Sequence, residues 1–349
     1  GALFGEVALL DRLPRTATVR ALLPTRLIRI ERSHVESLLK QSDPVIRYLL
    51  QLLLSRFRRT RGLALDSTET EPVQDSFRPG LPVDDLHAAA VRTLTLTSDL
   101  NAAIDRGQLE AFYQPIVDIA SGRHAGFESL VRWRHPQKGI LAPFAFLHII
   151  EEKGLMDDLT WMMLEKSAIA CLAWHQRGWP LNVSVNLSLT SLEDTSLADR
   201  ITRTVEQAGL APKFMTLEIT ESAAMTNVAS CLEGLARLRM KGFGLSIDDY
   251  GTGYSSMQQL GRIPFTELKI DKSFVTDCAK NPQQRVILES SIDMARKLGL
   301  KTVAEGVETR GDWNLLKELG CTIAQGYFIA KPLPALAFTE WVPDWNAPE

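Results

Sequence analysis

From about residue 86 onward, short apolar runs alternate with longer stretches whose apolar residues recur every three or four positions. The first pattern is typical of buried strands and the second of amphipathic helices. Eight runs predict strands: AFYQPIVDI, GFESLVRW, NVSVNLS, MTLEITES, GLSIDDY, ELKIDKSF, KTVAEGV and CTIAQGYFIA. Strands that alternate with helices predict a parallel sheet, and eight of them in roughly 250 residues predict an α/β barrel of the TIM type.

One connection does not fit a regular (β/α)8 barrel. Only ASGRHA, residues 120–125, separates the first two predicted strands. A parallel crossover needs roughly a dozen residues or more, so this link is too short for one. We therefore expect a modified barrel in which the first strand runs antiparallel to the second.

Two further segments precede the barrel. In residues 1–61, short apolar runs lead to a helix whose N-cap and first turn are provided by Asp43 and Pro44. The apolar stripe of this helix is formed by Ile46, Leu50, Leu53 and Phe57. Residues 62–93 are rich in Pro, Ser, Thr and acids without periodicity, which is typical of a linker. The barrel domain is then expected at residues 94–349.

The composition limits the classes of function. The chain has 349 residues, of which 45% are hydrophobic and 23% are charged, and its net charge is -3. No basic excess is present to neutralise the phosphates of a nucleic acid polymer. The longest apolar stretch, YLLQLLL, is too short to cross a membrane. The four cysteines show no CxxC spacing, so we expect a cytoplasmic protein with reduced thiols.

Polar side chains lie near the carboxyl ends of the predicted strands, where the loops of a barrel converge on one mouth. They are Glu128, Asn186, Glu218, Asp248, Asp249, Lys269, Glu305 and Gln325. One such residue alone would be interpreted as a helix N-cap or a solvated loop residue, but a cap needs only one polar residue per loop. Oxygen ligands suit Mg²⁺ or Mn²⁺, and so many anionic oxygens around one cavity repel each other without a cation. Two metal ions bridged or flanked by one of the adjacent acids Asp248 and Asp249 would explain why two carboxylates stand side by side.

Two such ions are suited to the hydrolysis of a phosphodiester. Lys269 would orient the attacking water or balance charge on the phosphate. Arg132, four residues after Glu128, would bind a phosphate through two N–H groups, or would be a solvated residue at a strand edge. The stretch GTGYSS lacks the GxGxxG spacing of a dinucleotide-binding loop.

Seven blocks of this region resemble, in order, the signature of the EAL-domain cyclic di-GMP phosphodiesterases. The blocks are ESLVRWRHP, NLS, EITES, DDYGTGYSS, LKIDKSFV, AEGVET and QGYFIAKP. The resemblance covers roughly residues 94–344. It implies hydrolysis of the bacterial second messenger cyclic di-GMP to linear pGpG with Mg²⁺ or Mn²⁺, on a barrel whose first strand is antiparallel.

The resemblance also implies a role for each site residue. The ligands of one metal ion would be Glu128, Asn186, Glu218 and Asp248. Those of the second would be Asp248, Asp249 and Glu305. Lys269 would contact the catalytic water, Glu305 would also act as a base, and Glu221 would anchor the loop that carries DDYGTG. The bases and phosphates of the dinucleotide would be contacted by Gln114, Leu130, Arg132 and Asp271, and Gln325 would be a further active-site residue on the substrate side.

Two positions depart from the usual family pattern. The naming triplet is Glu-Ser-Leu instead of Glu-Ala-Leu, and Tyr250 replaces the usual Phe. Because strand side chains alternate, Ser129 is expected to point away from Glu128, toward the helix layer. Neither change removes a ligand, so activity is expected. The alternative is a catalytically inactive receptor that binds cyclic di-GMP and signals through a partner protein.

The block FGEVALLDRLPRTATVRA, near the start of the sequence, resembles the phosphate-binding cassette of cyclic-mononucleotide-binding domains, which are β jelly rolls. The residues implied in nucleotide binding are Gly5, Glu6, Arg15, Thr16 and Ala17. Glu6 would bind the ribose hydroxyl, and the guanidinium fork of Arg15 would bind the cyclic phosphate. A β-hairpin with a surface ion pair is the alternative. Because the sequence starts close to the cassette, only the C-terminal part of such a domain is expected.

These patterns together predict a dimeric phosphodiesterase whose breakdown of cyclic di-GMP is regulated by cAMP or cGMP. The helix that follows the cassette resembles helices that lie at dimer interfaces. A transcription regulator, suggested by the N-terminal block alone, is disfavoured because the barrel follows it instead of a basic helix-turn-helix.

Overall fold

The computed structural model describes residues 18–22, 46, 50, 53, 96–97, 99–100, 103–104, 106–188, 196–221, 228–251, 261–276, 278, 280–345 and 347. The chain divides into two compact units, Gly1–Asp105 and Arg106–Glu349. In the first unit, the stripe positions Ile46, Leu50 and Leu53 are helical. The fourth stripe position, Phe57, lies outside the described residues. So do the predicted segment boundaries near residues 61 and 93. The same holds for the predicted cassette residues Gly5, Glu6, Arg15, Thr16 and Ala17.

The second unit is a closed barrel of eight strands. Its strands in chain order are β1 (Leu109–Asp118), β2 (His124–His135), β4 (Asn182–Asn186), β5 (Met215–Thr220), β6 (Gly244–Tyr250), β7 (Glu267–Ile270), β8 (Lys301–Ala304) and β9 (Ile323–Ala324). Each strand pairs with its neighbour in this order, and the pairing of β1 with both β2 and β9 closes the ring. Two short strands add to the sheet: β3 (Gly139–Leu141) pairs antiparallel with β2, and β10 (Leu333–Pro334) pairs antiparallel with β1. The predicted barrel is confirmed.

The first strand runs in the reverse direction, as the short link to the second strand predicted. β1 pairs antiparallel with β2 from Leu109, opposite Trp133, to Val117, opposite His124. β1 is also antiparallel to β9, whereas the other barrel pairs are parallel. The β1–β2 turn is tight, and the amide of Gly122 donates a hydrogen bond to the carbonyl of Asp118 at 2.8 Å.

Among the described residues, helices lie between most of the parallel strands, and one more follows β10. They are α1 (Leu147–Glu152), α2 (Met156–His175), α3 (Leu197–Gln207), α4 (Val228–Met240), α5 (Lys272–Val275), α6 (Pro282–Lys297), α7 (Arg310–Leu319) and α8 (Ala335–Asp344). α7 begins with a capping box between Thr309 and Asp312 and ends at Leu319, and the next residue, Gly320, forms a left-handed C-cap with a φ of 73°. In the part of the chain that the structure describes, none of the helices combines the length and the apolar character needed to span a bilayer.

The last helix covers the face that the reversed strand leaves without a crossover helix. The ring of Phe338 on α8 lies 6.3 Å from that of Tyr113 on β1, 5.3 Å from that of Phe127 on β2 and 4.5 Å from that of Trp174 on α2. Burial in this cluster raises the pKa of the Tyr113 phenol to about 12. The C-terminal helix therefore completes the outer layer of the barrel beside β1 and β2.

Several predicted strands are shorter than the apolar runs suggested, and β7 and β9 are two of them. β7 ends at Ile270, because the next residue, Asp271, is the N-cap of α5 and its carboxylate accepts a hydrogen bond from the amide of Ser273. A side chain that caps the next helix favours leaving the sheet at that point. β9 contains only Ile323 and Ala324, so the polar residue Gln325 stands directly after it.

Candidate metal centre

The adjacent acids Asp248 and Asp249 lie in a β-bulge at the end of β6. The pairing of β6 with β7 is regular up to Ile247 and resumes at Tyr250, with a shift that leaves both acids opposite the single residue Lys269. Asp249 has a φ of 56°, which is uncommon for a residue other than glycine. In a regular strand two consecutive side chains point to opposite faces, and a bulge relaxes this alternation. The bulge explains how two neighbouring carboxylates can serve one site.

Three carboxylates form a group that can hold a divalent cation. One oxygen from each of Asp248, Asp249 and Glu305 lies within 4.8 Å of the other two. Glu305 follows β8 directly, so the group joins the carboxyl ends of two strands. Burial, and then the negative charge of Asp248, raise the pKa of Asp249. An all-oxygen donor set in which like charges repel fits a hard cation such as Mg²⁺ or Mn²⁺.

Lys269 lies at the centre of four carboxylates. Its Nζ is 2.7 Å from Glu305 Oε1, 2.9 Å from Glu218 Oε2, 3.1 Å from Asp248 Oδ1 and 3.4 Å from Glu128 Oε2. The contact with Glu218 has the geometry of a hydrogen bond, whereas Asp248 Oδ1 has only the ion-pair contact. Lys269 is 1% exposed, so the ammonium is removed from solvent.

The pKa shifts reflect how tightly these charges are packed. Burial, and then the charge of Glu128, raise the pKa of Glu218 well above its usual value. Burial raises the pKa of Glu305 to about 7, although Lys269 acts in the opposite direction. Burial would lower the pKa of Lys269, but the surrounding carboxylates raise it well above the ordinary lysine value. Additional positive charge would therefore stabilise the ionised cluster.

Side-chain amides orient Glu128. Gln325 Nε2 donates to Glu128 Oε2 at 2.6 Å and lies 3.1 Å from Gln114 Oε1. Asn186 Nδ2 donates to the other oxygen, Oε1, at 3.2 Å. Gln114 is itself held by a hydrogen bond from its Nε2 to the carbonyl of Ala330. These contacts, made by residues on β1 and β4 and directly after β9, fix the direction of the Glu128 carboxylate.

Glu221 directly follows β5 and contacts the chain that follows β6. Its Oε2 accepts a hydrogen bond from the amide of Gly251 at 2.8 Å. Gly251 has a φ of 103°, and a Cβ there would lie 2.5 Å from a ring carbon of Phe274. Residues 252–260 lie outside the described residues, so the role of Glu221 as anchor of the whole loop stays a prediction.

The remaining predicted substrate residues occupy different positions. Leu130 lines a cavity that opens beside the carboxylates at the mouth of the barrel. Arg132 is half-buried, its Nη1 donates to the carbonyl of Val131 at 2.8 Å, and burial lowers its pKa. Asp271 caps α5. Neither Arg132 nor Asp271 lines that cavity within the described part of the chain, so their contacts with a dinucleotide stay predictions.

A cavity of about 880 Å³ opens beside the cluster at the mouth of the barrel. The predicted residues that line it are Gln114, Glu128, Leu130, Asn186, Asp248, Glu305 and Gln325. A second wall, which includes Glu151 of α1 and Met156, Asp157 and Thr160 of α2, was missed by the sequence analysis. The polar residues in the first turn of α2 were the only local signal, and they also fit an ordinary helix start. A groove of about 590 Å³ between α2 and α3 is lined by none of the predicted site residues.

The reversed first strand, the closed barrel and the carboxylates at its mouth define a modified TIM barrel with an acidic cluster that can hold a cation. The chain belongs to the EAL-domain family, because the family model described as EAL domain matches residues 97–332. A second family model, described as cyclic nucleotide-binding domain, matches residues 1–42. EAL domains are metal-dependent phosphodiesterases, which agrees with the chemistry of the donor set.

Known proteins with similar sequence or structure include cyclic di-GMP phosphodiesterases and EAL enzymes. The cyclic di-GMP phosphodiesterase NbdA of Pseudomonas aeruginosa is 42% identical over 260 residues, which are 72% of this chain and 32% of NbdA. The structure of the MucR phosphodiesterase in complex with c-di-GMP is 38% identical, has a TM-score of 0.67, and matches 70% of this chain and 99% of that one. The EAL enzyme Bd1971 with cAMP and cyclic-di-GMP bound is 28% identical, has a TM-score of 0.69, and matches 98% of this chain and 87% of that one. The chain spans between 32% and 64% of the length of the first curated relatives.

Proposed function

We propose that the protein hydrolyses cyclic di-GMP to linear pGpG with two Mg²⁺ or Mn²⁺ ions. The observation that carries this proposal is that one buried ammonium, Lys269, contacts all four of the predicted acids Glu128, Glu218, Asp248 and Glu305. Similarity to relatives named as cyclic di-GMP phosphodiesterases supports the choice of substrate. Divalent ions at this site would supply positive charge for the phosphoryl oxygens and would acidify the attacking water.

Each group of the site has a separate task in this proposal. The two ions would be held by Glu128, Asn186, Glu218, Asp248, Asp249 and Glu305. Glu305, which also lines the cavity, accepts a proton from the attacking water. Lys269 orients that water through its ammonium. Gln325 keeps Glu128 in position through the hydrogen bond from its Nε2 to the Glu128 carboxylate, and Gln114 orients Gln325 by accepting a hydrogen bond from the same Nε2.

The test is a hydrolysis assay on the full-length protein, with cyclic di-GMP, Mg²⁺ or Mn²⁺, and detection of pGpG. We expect Glu128→Gln to lower the rate at least about 100-fold, because a buried metal ligand loses its charge while the side chain keeps its shape. The matched control is Glu110→Gln on β1, where the lost partner is the Arg134 guanidinium, 2.7 Å away at the barrel surface. This control should retain the wild-type rate.

The inactive receptor is the alternative that this assay separates. Binding of cyclic di-GMP without release of pGpG, with every acid intact, would contradict the proposed function and favour the receptor. The proposal also includes regulation by cAMP or cGMP bound to the segment matched by the cyclic nucleotide-binding model. The same proposal includes a homodimer formed through the helix that carries Ile46, Leu50 and Leu53. It also includes a cytoplasmic location.

A further inference from the structure

We propose that Lys269 is the internal counter-ion of the acidic cluster, which stabilises the barrel before divalent ions bind and competes with those ions for the same carboxylates. This role is distinct from orienting a water molecule during the reaction. It rests on the metal site of the proposed function, but not on the identity of the substrate.

The geometry of Lys269 is that of a central cation and not of one partner in an ion pair. An ammonium has three N–H donors, yet four carboxylate oxygens lie between 2.7 and 3.4 Å from its Nζ. Three of the acids lie on β2, β5 and β6 and the fourth directly follows β8, so a single side chain connects these four strands at the barrel mouth. Loss of this cation would affect the whole rim of the barrel.

The balance of charges around the four carboxylates also indicates that Lys269 is their counter-ion. Among the described residues, no other cation forms an ion pair with Glu128, Glu218, Asp248 or Glu305. Glu218 is 1% exposed and Glu128 is 5% exposed, so water cannot screen their mutual repulsion well. Removal of one partner from a buried charge cluster is strongly destabilising, because the charges that remain are uncompensated. Lys269 is therefore needed for stability whenever other cations are not present.

Competition with metal ions follows from shared ligands. Asp248 and Glu305 contact Lys269 and also belong to the group of carboxylates that can hold a cation. A divalent ion that draws their oxygens weakens their contacts with the ammonium, and the ammonium in turn weakens the binding of the ion. By linkage, the two effects are equal in size.

The experiment compares the full-length wild type with Lys269→Met, which removes the charge and keeps most of the length of the side chain. Thermal unfolding is followed in EDTA and in millimolar Mg²⁺ or Mn²⁺, and Mn²⁺ affinity is measured by calorimetry. In EDTA, the Tm of the variant should fall by about 10 °C or more. Mn²⁺ should raise the Tm of the variant by more than it raises that of the wild type, and it should bind the variant roughly 5- to 150-fold more tightly.

The matched control is Lys297→Met. Lys297 forms an exposed ion pair with Asp293, with Nζ and Oδ2 2.6 Å apart, and exposed pairs contribute little to stability. Its Tm and its response to Mn²⁺ should equal those of the wild type. Equal Mn²⁺ affinities and equal metal-induced Tm shifts in the wild type and in Lys269→Met would overturn the proposal.

A second variant decides the case in which Lys269→Met does not fold. The double variant Lys269→Met with Glu218→Gln removes one negative charge together with the positive one. Recovery of folded protein in EDTA would support the counter-ion role, and failure to recover with or without Mn²⁺ would overturn it. Neither readout uses cyclic di-GMP, so a failed hydrolysis assay beside these expected results would contradict the proposed function alone.

Discussion

At the scale of single residues, the serine in the Glu-Ser-Leu triplet has a partner of its own. Ser167 Oγ on α2 donates a hydrogen bond to Ser129 Oγ at 2.7 Å, and both residues are buried. This confirms that Ser129 points toward the helix layer and away from Glu128. Tyr250, the second departure, directs its hydroxyl toward Met294 Sδ at 3.6 Å. Both substitutions are therefore accommodated outside the carboxylate cluster.

The serine pair leads to a prediction about stability. Ser129→Ala and Ser167→Ala should each cost about 1 kcal/mol, because each leaves one buried hydroxyl without its partner. The double variant should cost less than the sum of the two, since no unpaired hydroxyl remains. Urea unfolding of the four proteins measures the coupling, and strictly additive costs would show that the hydrogen bond contributes nothing. Hydrolysis should be retained in all four, because neither serine contacts the carboxylates.

At the scale of secondary-structure elements, the reversed β1 and the C-terminal α8 depend on each other. A parallel β1–β2 unit would carry its own crossover helix, whereas the six-residue link leaves the outer face of this pair open. α8 closes that face through Phe338, which is 1% exposed. The helix thus replaces the missing crossover, although it comes from the other end of the domain.

We expect Phe338→Ala to destabilise the barrel by about 3–5 kcal/mol, through lost aromatic burial and a remaining cavity. The Tm should fall by about 10 °C in thermal unfolding. Leu336→Ala on the same helix is the control, because Leu336 is 73% exposed and its loss should change the Tm little. An equal effect of the two variants would contradict the role of α8 as a cover of the β1–β2 pair.

At the scale of the whole molecule, two units share one chain, and two family models match it: the cyclic nucleotide-binding domain over residues 1–42 and the EAL domain over residues 97–332. A ligand of the first unit changes the activity of the second only if it binds two states of the protein with different affinity. The Bd1971 structure, which has both cAMP and cyclic-di-GMP bound, matches 98% of the length of this chain at 28% identity. This match supports a search for such coupling.

The corresponding prediction concerns regulation. Saturating cAMP or cGMP should change the rate of cyclic di-GMP hydrolysis by the full-length protein roughly fivefold or more. Arg15→Ala should lose this response, because the cyclic phosphate loses its guanidinium partner. Arg20→Ala, in the same block but outside the predicted contacts, should keep it. A rate that neither nucleotide changes would contradict the regulatory part of the proposal.

The sequence by itself determined the number of barrel strands and the reversal of the first strand, and it named the candidate carboxylates. These features are local: apolar runs mark strands, a six-residue link excludes a crossover, and an acid at a strand end is visible in the string of letters. Glu218, Asp248 and Glu305 could be named in this way because parallel strands bring their carboxyl ends to the same mouth. Glu128 was also predicted at a strand end, but β2 continues to His135, so Glu128 lies within the strand.

Only the tertiary structure decided how these residues meet. The bulge that leaves Asp248 and Asp249 opposite Lys269 depends on the register between two strands, and the α2 wall of the cavity depends on how that helix packs. The contacts of Lys269 with Glu128 and Glu218 join residues more than 50 positions apart in the chain. No local pattern encodes such contacts, because they arise when separate strands close into one barrel.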